Sequence, residues 1–368
     1  MTQPQEIREA HPYFMHDAIL DQPQAAQLML DTHQAASQEV ADTLAAKKRI
    51  YLVGIGTSWH AALTAEHWFR RFAQGSPEVQ AWHSFEFCSY PPQLSGEDAV
   101  VVISHRGTKT YSFLALELAR DSGAFTVAIT STNPGPRVQT ATMILNTVAQ
   151  ERSAAFTVSY TSALTVLAMI STYLGERSIS GLDPKVARYQ LRQLPGQIAR
   201  ALSQESAVRE AVGLFQGSRR FLCTGWGPNT ANAYEVALKM KETSTVDCEG
   251  LQAEQMLHGP FCSVDQSCLM TLIAPPGPGY QRSLDIAHAC AEVGAPIWAL
   301  VQERDRELAG QATLSLELPE MPELWSPLVY VTPLQLFTYH LALAKNAHPD
   351  LFQQNDARQA AARRHYDL

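Results

Sequence analysis

Several kinds of sequence pattern are missing from this chain, and each absence argues against a class of function. No basic block offsets the formal net charge of −8, which argues against a nucleic-acid-binding surface. The six cysteines include no C-x-x-C pair and are expected to be reduced and mostly buried. No apolar run is expected to span a membrane, and Met1–Glu6 lacks the hydrophobic core of a signal peptide. We therefore expect a cytoplasmic protein with neither a nucleic-acid nor a membrane partner.

Sequence motifs for bound cofactors are incomplete as well. The dinucleotide fingerprint G-x-G-x-x-G has Trp59 in place of its third glycine, and Thr230 occupies that place in a second copy. A phosphate-binding loop of the form G-x4-G-K-S/T is absent. Cys262 and Cys268 near His258 have a C-x5-C spacing, which is not typical of zinc ligands. No cofactor and no metal ion are therefore expected.

The chain contains the same α/β pattern twice. A β-branched strand, a tight glycine turn and a helix occur around Gly56 and again around Gly227, 171 positions later. The apolar strands that end at Ile103 and Ile273 are 170 positions apart, in nearly the same register. With 368 residues the chain is long enough for two domains. The repeat predicts an α/β fold of two tandem, doubly wound parallel sheets of the flavodoxin-like kind, which bind ligands at the carboxyl ends of their strands.

Apolar periodicity divides the chain into five segments. They are an N-terminal helical segment (1–45), a first α/β domain (46–175), a helical connector (176–217), a second α/β domain (218–347) and a polar tail (348–368). Strands are predicted at 50–53, 100–103, 125–129, 220–224, 268–273 and 296–301. Helices are predicted at 25–46, 61–72, 111–120, 159–173, 231–243, 283–293 and 334–345.

Hydroxyl, glycine and cationic residues follow two strands that should end side by side. These residues are Gly56, Thr57, Ser58, Ser104, His105, Arg106, Gly107, Thr108 and Lys109. Backbone N–H groups and the helix dipole favour an anion at such a helix N-terminus, and the hydroxyls add donors. The alternative is that serine and threonine only cap helices. Two such loops at adjacent strand ends favour a cradle for the phosphate of a small molecule.

One helix of the second domain carries charged residues on a single face. Glu235, Lys239 and Glu242 have the spacing i, i+4, i+7, which brings them to one side of a helix. The alternative is a solvated stripe of weak salt bridges. Against that alternative, the helix follows the second glycine turn, so its N-terminal half borders the ligand edge. His258 and Gly259 follow in a loop, where glycine lets the backbone approach a ligand closely.

The order of these motifs resembles a known protein family. The motifs are Gly56-Thr57-Ser58, Ser104-His105-Arg106-Gly107, Glu235-x3-Lys239-x-Lys241-Glu242 and His258-Gly259-Pro260. Together they resemble the sugar isomerase (SIS) domain proteins, and within that family the isomerase half of the glucosamine-6-phosphate synthases. The likeness covers nearly the whole chain and implies two tandem SIS domains.

The resemblance implies a role for each candidate residue. Phosphate and substrate would be held by Thr57, Ser58, the loop Ser104–Lys109, Glu151 and Thr157. Glu242 would be the base that moves a proton between C1 and C2 of the open-chain sugar. Lys239 would stabilise the developing oxyanion or enediol. His258 would open the sugar ring and, as in relatives, come from the neighbouring subunit, which implies a homodimer.

Three departures from the family pattern bear on the reaction. The family loop Ser-Gln-Ser-Gly-Glu-Thr is replaced by the more basic Ser104–Lys109, and Phe156 stands where relatives have a polar ligand. The C-terminal lysine that forms an imine in the synthases aligns with Ala362 or Arg363, and arginine cannot form a Schiff base. Beyond these departures, no nucleophilic cysteine follows Met1, so we expect no glutaminase half in this chain. Synthase activity proper is therefore not expected.

Three functions are compatible with these residues. The favoured one is an SIS-type enzyme that acts on an amino-sugar phosphate or a fructosamine phosphate and couples isomerisation to deamination or deglycation. It uses Glu242 and His258 and needs no glutaminase. The second is a plain aldose–ketose phosphosugar isomerase. The third is a sugar-phosphate-binding sensor without catalysis, suggested by the missing lysine and the altered phosphate loop.

Overall fold

The computed structural model describes residues 7–176 and 183–366, which form two compact units. The first-sheet unit contains the described residues of Asp21–Glu151, Val158–Pro195 and Arg363–Leu368. The second-sheet unit contains those of Met1–Leu20, Arg152–Thr157 and Gly196–Ala362. Each unit holds one of the two sheets.

The described residues alternate between helices and strands, as the sequence predicts. The strands are β1 (Arg49–Gly54), β2 (Glu78–His83), β3 (Asp98–Ile103), β4 (Phe125–Thr130), β5 (Met143–Asn146), β6 (Arg220–Gly225), β7 (Cys248–Gln252), β8 (Cys268–Ala274), β9 (Ile297–Gln302) and β10 (Leu314–Leu318). The α-helices are α1 (Phe14–Leu20), α2 (Gln22–Thr32), α3 (Gln34–Ala45), α4 (Thr57–Ala73), α5 (Ser84–Ser89), α6 (Thr110–Asp121), α7 (Val158–Gly175), α8 (Pro184–Arg192), α9 (Leu194–Leu202), α10 (Glu205–Phe215), α11 (Thr230–Ser244), α12 (Ala253–Leu257), α13 (Tyr280–Val293), α14 (Ser326–Ala344) and α15 (Ala357–Ala362).

The two sheets have the same topology. The first has the order β2-β1-β3-β4-β5 and the second the order β7-β6-β8-β9-β10, and all paired strands are parallel. This is the flavodoxin-like order 2-1-3-4-5 written twice. The prediction of a duplicated α/β fold with parallel sheets is confirmed.

The burial of the central strands explains why the repeat can be recognised in the sequence. All residues of β3 and β8 are buried, because parallel sheets are covered by helices on both faces. The sequences of such strands are therefore continuous apolar runs.

The register of the first sheet places two loops together. Val53 of β1 lies opposite Val102 of β3, so the loops that follow these strands leave the same edge of the sheet. The two hydroxyl-rich loops are brought to that edge.

Several predicted element boundaries were wrong. The sequence prediction missed the edge strands β2, β5, β7 and β10, which are short and only partly buried and so lack a long apolar run. The helix predicted over 25–46 is two helices, because His33 leaves the helical conformation between α2 and α3. The helix predicted from Leu334 begins at Ser326, with Pro333 inside it. A proline is only a probable helix boundary.

One expectation about apolar runs also needs correction. Helix α7 is 18 residues long and apolar enough to cross a membrane by length and composition. In this structure 94% of it is buried within the protein, which is the usual setting of a core helix.

The cysteines were expected to be unpaired and mostly buried. All six are free, and Cys223, Cys248, Cys268 and Cys290 are buried.

Candidate functional site

The glycine turn after β1 prepares an anion site at the start of α4. A Cβ atom on Gly54 would lie 2.3 Å from the carbonyl oxygen of Ser58, so only glycine allows this close turn. Gly56 has a φ of +58°, and no heavy atom lies within 4 Å of the position its Cβ would take. Thr57 and Ser58 form the first turn of α4 and are half-buried. Donors at a helix N-terminus next to open space suit a phosphate.

The loop after β3 is held in one conformation by its neighbours. The hydroxyl of Thr130 donates to the carbonyl oxygens of Ser104 at 2.8 Å and His105 at 3.1 Å. Gly107 has a φ of +59°, and a Cβ there would lie 2.7 Å from the side chain of Val138. Its N–H donates to the Ser104 carbonyl at 3.1 Å, which closes the turn. The loop is therefore a rigid platform for the side chains that follow.

Three cations influence one another at this platform. Burial lowers the pKa of Lys109, and the positive charges of Arg106 and Arg363 lower it further. Thr108, which precedes Lys109 in the sequence, is exposed. Like charges grouped in this way are stabilised when an anion joins them. The sequence prediction placed Arg106 and Lys109 here, whereas Arg363 entered only as the residue aligned with the lysine of relatives.

His105 and Glu151 make contacts within the protein framework. His105 is 9% exposed, and its Nε2 accepts the backbone N–H of Glu151 at 3.2 Å. Burial, followed by the charge of Arg106, lowers the pKa of His105 to about 4, so the ring is neutral at neutral pH. Glu151 in turn accepts from the backbone N–H of Ser159 at 2.9 Å and from its hydroxyl, in the first turn of α7. Thr157, another predicted ligand, is fully buried immediately before α7.

Helix α11 begins at a turn that repeats the chemistry of the first one. Gly227 has a φ of +52°, and a Cβ on Gly225 would lie 2.3 Å from the Asn229 carbonyl oxygen. The amide of Asn229 donates to the hydroxyl of Ser326 at 2.7 Å, and that of Asn232 donates to a backbone carbonyl at the start of α14. These buried bonds fix the start of α11 against α14.

The charged face of α11 is buried. Lys239 Nζ lies 2.5 Å from Glu242 Oε2 and 3.5 Å from Glu235 Oε1. The side chains of Glu235, Lys239 and Glu242 are 0%, 2% and 17% exposed. The alternative of a solvated stripe is therefore wrong. Glu235, which the sequence prediction left out of the site, belongs to this triad, and its i, i+4 spacing from Lys239 was the available signal.

The triad combines a proton acceptor with a fixed cation. Two carboxylates flank one ammonium, and burial strengthens their interactions because the local dielectric is low. Glu242 is the most exposed of the three and therefore the one that a ligand reaches most readily. A carboxylate beside an ammonium is suited to take up a proton while the cation faces negative charge that develops nearby.

His258 lies in a different setting, on the surface. Its side chain is 69% exposed, and its Nε2 lies 3.0 Å from Glu254 Oε1. Arg282 Nε lies 2.6 Å from the other oxygen of the same carboxylate. The hydrogen bond with His258 and the charge of Arg282 hold the pKa of Glu254 below its ordinary value. The short helix α12 ends at Leu257, His258 is its C-cap, and the following Gly259 has a φ of +118°, which glycine adopts without strain.

Comparison with known proteins agrees with the fold. The family model for the SIS domain matches residues 43–173 and 214–345. An isomerising glutamine–fructose-6-phosphate aminotransferase of Thermococcus kodakarensis is 30% identical over 346 residues, which cover 93% of this chain and 57% of that protein. The chain thus spans just over half the length of this curated relative.

Solved structures show the same architecture. The C-terminal domain of glucosamine–fructose-6-phosphate aminotransferase from Francisella tularensis has a TM-score of 0.85 at 22% identity, covering 93% of this chain and 99% of that one. Glucosamine-6-phosphate deaminase from Thermotoga maritima has a TM-score of 0.75 at 18% identity, covering 92% and 97%. Since each of the two sheets lies within one family match, the chain belongs to the SIS domain family.

Proposed function

We propose that this protein is a phosphosugar isomerase-type enzyme that acts on an amino-sugar phosphate or a fructosamine phosphate. It moves a proton between C1 and C2 and releases the amine. The observation that carries the proposal is the buried Glu235–Lys239–Glu242 triad, in which only Glu242 is appreciably exposed. A buried ammonium between two carboxylates is costly to maintain unless its environment compensates it, and buried clusters of charge of this kind are concentrated at functional sites.

Phosphate binding is assigned to the two loops of the first-sheet unit. Thr57 and Ser58 offer donors at the start of α4, and Arg106 and Lys109 offer positive charge. His105 and Glu151 are assigned the role of holding this region in shape, since each already bonds to the protein.

The proposed reaction is a proton shift followed by hydrolysis. Glu242 removes the proton from the carbon that bears the amine, which is C2 in a 2-amino sugar and C1 in a fructosamine, and Lys239 faces the negative charge of the resulting enediol-type (enaminol) intermediate. Return of the proton to the adjacent carbon leaves an imine, at C2 for a 2-amino sugar and at C1 for a fructosamine. Water then adds to the imine, and the products are a sugar phosphate with a free carbonyl and a free amine.

The C-terminal segment argues against an imine with the protein. The resemblance to the synthases aligns Ala362 or Arg363 with the lysine that serves this purpose there, and an arginine remains protonated. The charge of Arg363 acts on Lys109, which suits it to anion binding instead. Amine transfer to a new sugar is therefore not part of the proposal.

Ring opening is assigned to His258 of a neighbouring subunit in a homodimer. The support is its exposure, because a side chain that projects from its own chain is available to a partner. Glu254 would hold the ring in place through its contact with Nε2. A cytoplasmic location stays a prediction.

The test is NMR in D₂O with fructose 6-phosphate, glucosamine 6-phosphate and fructosamine phosphates, combined with an assay of released amine. The proposal expects deuterium at C1 or C2 and release of amine, both lost in Glu242→Gln while binding persists. Glu292→Gln, an exposed glutamate on α13, serves as the matched control and should keep full turnover.

Other outcomes identify the alternatives. Exchange without release of amine would replace the proposal with a plain aldose–ketose isomerase. Binding without exchange for every sugar would replace it with a sensor. Unchanged turnover in Glu242→Gln would show that the triad takes no part in the reaction.

A further inference from the structure

A second cluster of chemically active side chains lies in the second-sheet unit, on elements that the proposed reaction does not use. His16 is on α1, Glu205 is the first residue of α10, and His340 is on α14. Both His16 Nε2 and His340 Nε2 lie 2.8 Å from the same oxygen, Glu205 Oε1. The three ligand atoms all lie within 4.8 Å of one another. Residues from three separate helices therefore converge on one point.

The chemistry of the cluster suits a cation. His16 and His340 each present Nε2 to the same carboxylate oxygen of Glu205. Imidazole nitrogens and a carboxylate oxygen are ligand types that divalent transition metals bind.

Burial and access are also those of a ligand site. His16 and His340 are 7% and 8% exposed, whereas the side chain of Glu205 is 28% exposed. The imidazoles are thus shielded from bulk water, and the carboxylate side remains open for an ion and a bound water to enter. Arg209, one helical turn after Glu205, places a positive charge near His340 and works against a cation.

Neighbouring groups hold the ligands in place. Both carboxylate oxygens of Asp350 accept backbone N–H groups of α1, from Phe14 at 3.0 Å and from Met15 at 2.9 Å. This fixes the helix that carries His16. The Tyr339 ring lies 4.9 Å from the His16 ring, and its hydroxyl lies 2.7 Å from Nδ1 of His11. The ring of Tyr339 thus packs against one of the two imidazoles.

We propose that His16, Glu205 and His340 form a site for a divalent transition-metal ion, with Zn²⁺ as the first candidate. Two imidazole nitrogens and one carboxylate oxygen are a known zinc ligand set, with a fourth position left for water. Ligand atoms about 2.0–2.1 Å from a tetrahedral zinc are roughly 3.3 Å apart. The two histidine–carboxylate separations would therefore widen from 2.8 Å, and the two imidazole nitrogens, which lie within 4.8 Å of each other, would adjust to the same spacing. The ion takes the place of the two hydrogen bonds.

The test measures metal binding by the full chain without a histidine tag. After treatment with a chelator and dialysis against Zn²⁺, elemental analysis should find one ion per chain. Titration with Co²⁺ should produce visible ligand-field bands of a low-coordinate site. Competition with a chelator dye should show that Glu205→Gln and His16→Ala weaken binding by more than the roughly 10–100-fold loss typical of outer-shell changes. His288→Ala, an exposed histidine on α13, is the matched control and should bind as wild type.

A folding readout separates loss of the site from loss of structure. Glu205→Gln keeps an oxygen that accepts hydrogen bonds, so the variant should retain the circular-dichroism spectrum of the wild type. Zn²⁺ should raise the melting temperature of the wild type and not of this variant.

Any of three results would overturn the proposal. One is a wild type that takes up no ion, and another is a folded Glu205→Gln that binds and is stabilised equally. The third is binding that survives in Glu205→Gln and disappears in Cys262→Ser, which would place the ion at the exposed thiol. Glu242→Gln should bind the ion normally, so failure of the proposed sugar chemistry leaves this test intact.

Discussion

The ammonium of Lys239 lies 2.5 Å from a carboxylate oxygen of Glu242, although the Lys239 side chain is only 2% exposed. Glu235, fully buried, lies on its other side. A charge in this environment depends on its partners, because water is not there to replace them. The following predictions depend on this relationship and on the loops that bind phosphate.

Removal of the ammonium should destabilise the protein strongly. Lys239→Met leaves two carboxylates without their shared cation, so we expect the free energy of unfolding to fall by about 3–5 kcal/mol. Urea unfolding measures this change. Lys241→Met, an exposed position on the same helix, should change stability by no more than about 0.5 kcal/mol. Equal effects of the two substitutions would contradict the buried triad.

Loss of one cation from the cradle should weaken phosphate binding. Lys109→Met removes a charge-assisted hydrogen bond worth about 1.5–3 kcal/mol, so the Kd for a sugar phosphate should rise roughly 10- to 100-fold. Isothermal titration calorimetry at fixed salt measures it. Lys185→Met, exposed on α8, is the control and should leave the Kd unchanged. An unchanged Kd in Lys109→Met would show that the phosphate does not bind at this loop.

Stability should depend on pH through His105. Its pKa is lowered to about 4 in the folded state, whereas an unfolded histidine titrates near 6.5, so the unfolded state binds the extra proton between these values. The contribution of the neutral His105 ring to the free energy of unfolding is complete above pH 6.5. It is lost as the pH falls towards 4, which lowers the free energy of unfolding by up to about 3 kcal/mol. Unfolding curves of wild type and His105→Gln over this range should therefore converge as the pH falls. Parallel curves would contradict a buried neutral ring.

The glycine turn after β1 should tolerate no side chain, for a reason of conformation. Gly56→Ala has room for the methyl group but must keep a φ of +58° with a ψ of −130°, a backbone conformation almost confined to glycine, which costs about 1–3 kcal/mol. We expect lower stability and weaker phosphate binding, because the amides at the start of α4 are displaced. Gly213→Ala lies inside α10, also in open space but without a positive φ, and should stabilise by roughly 0.5–1 kcal/mol. Thermal melts and titrations of both variants test the contrast.

Much of the fold was predictable because its signals are local. The apolar runs of β3 and β8 and the glycine turns at Gly56 and Gly227 occur within a few residues, and their spacing exposes the duplication. Edge strands such as β2 have no such run, since only part of each faces the core. They become strands by pairing with a neighbour that lies elsewhere in the sequence.

The candidate site was predictable in its residue types more than in its environment. The motif order made Glu242 and Lys239 candidates, but helical spacing alone does not distinguish a solvated stripe from a buried triad. His105 fits the phosphate loop by position, whereas its contact with the Glu151 backbone depends on the path of the chain 46 residues later.

The sequence by itself determined the repeated α/β pattern, the glycine turns and the order of the SIS motifs, because these depend on neighbouring residues. Only the tertiary structure decided which charges are buried and which residues meet. His16 and Glu205 are 189 positions apart, and Glu205 and His340 are 135 apart. No periodicity connects them, because packing of α1, α10 and α14 alone brings the three side chains to one point.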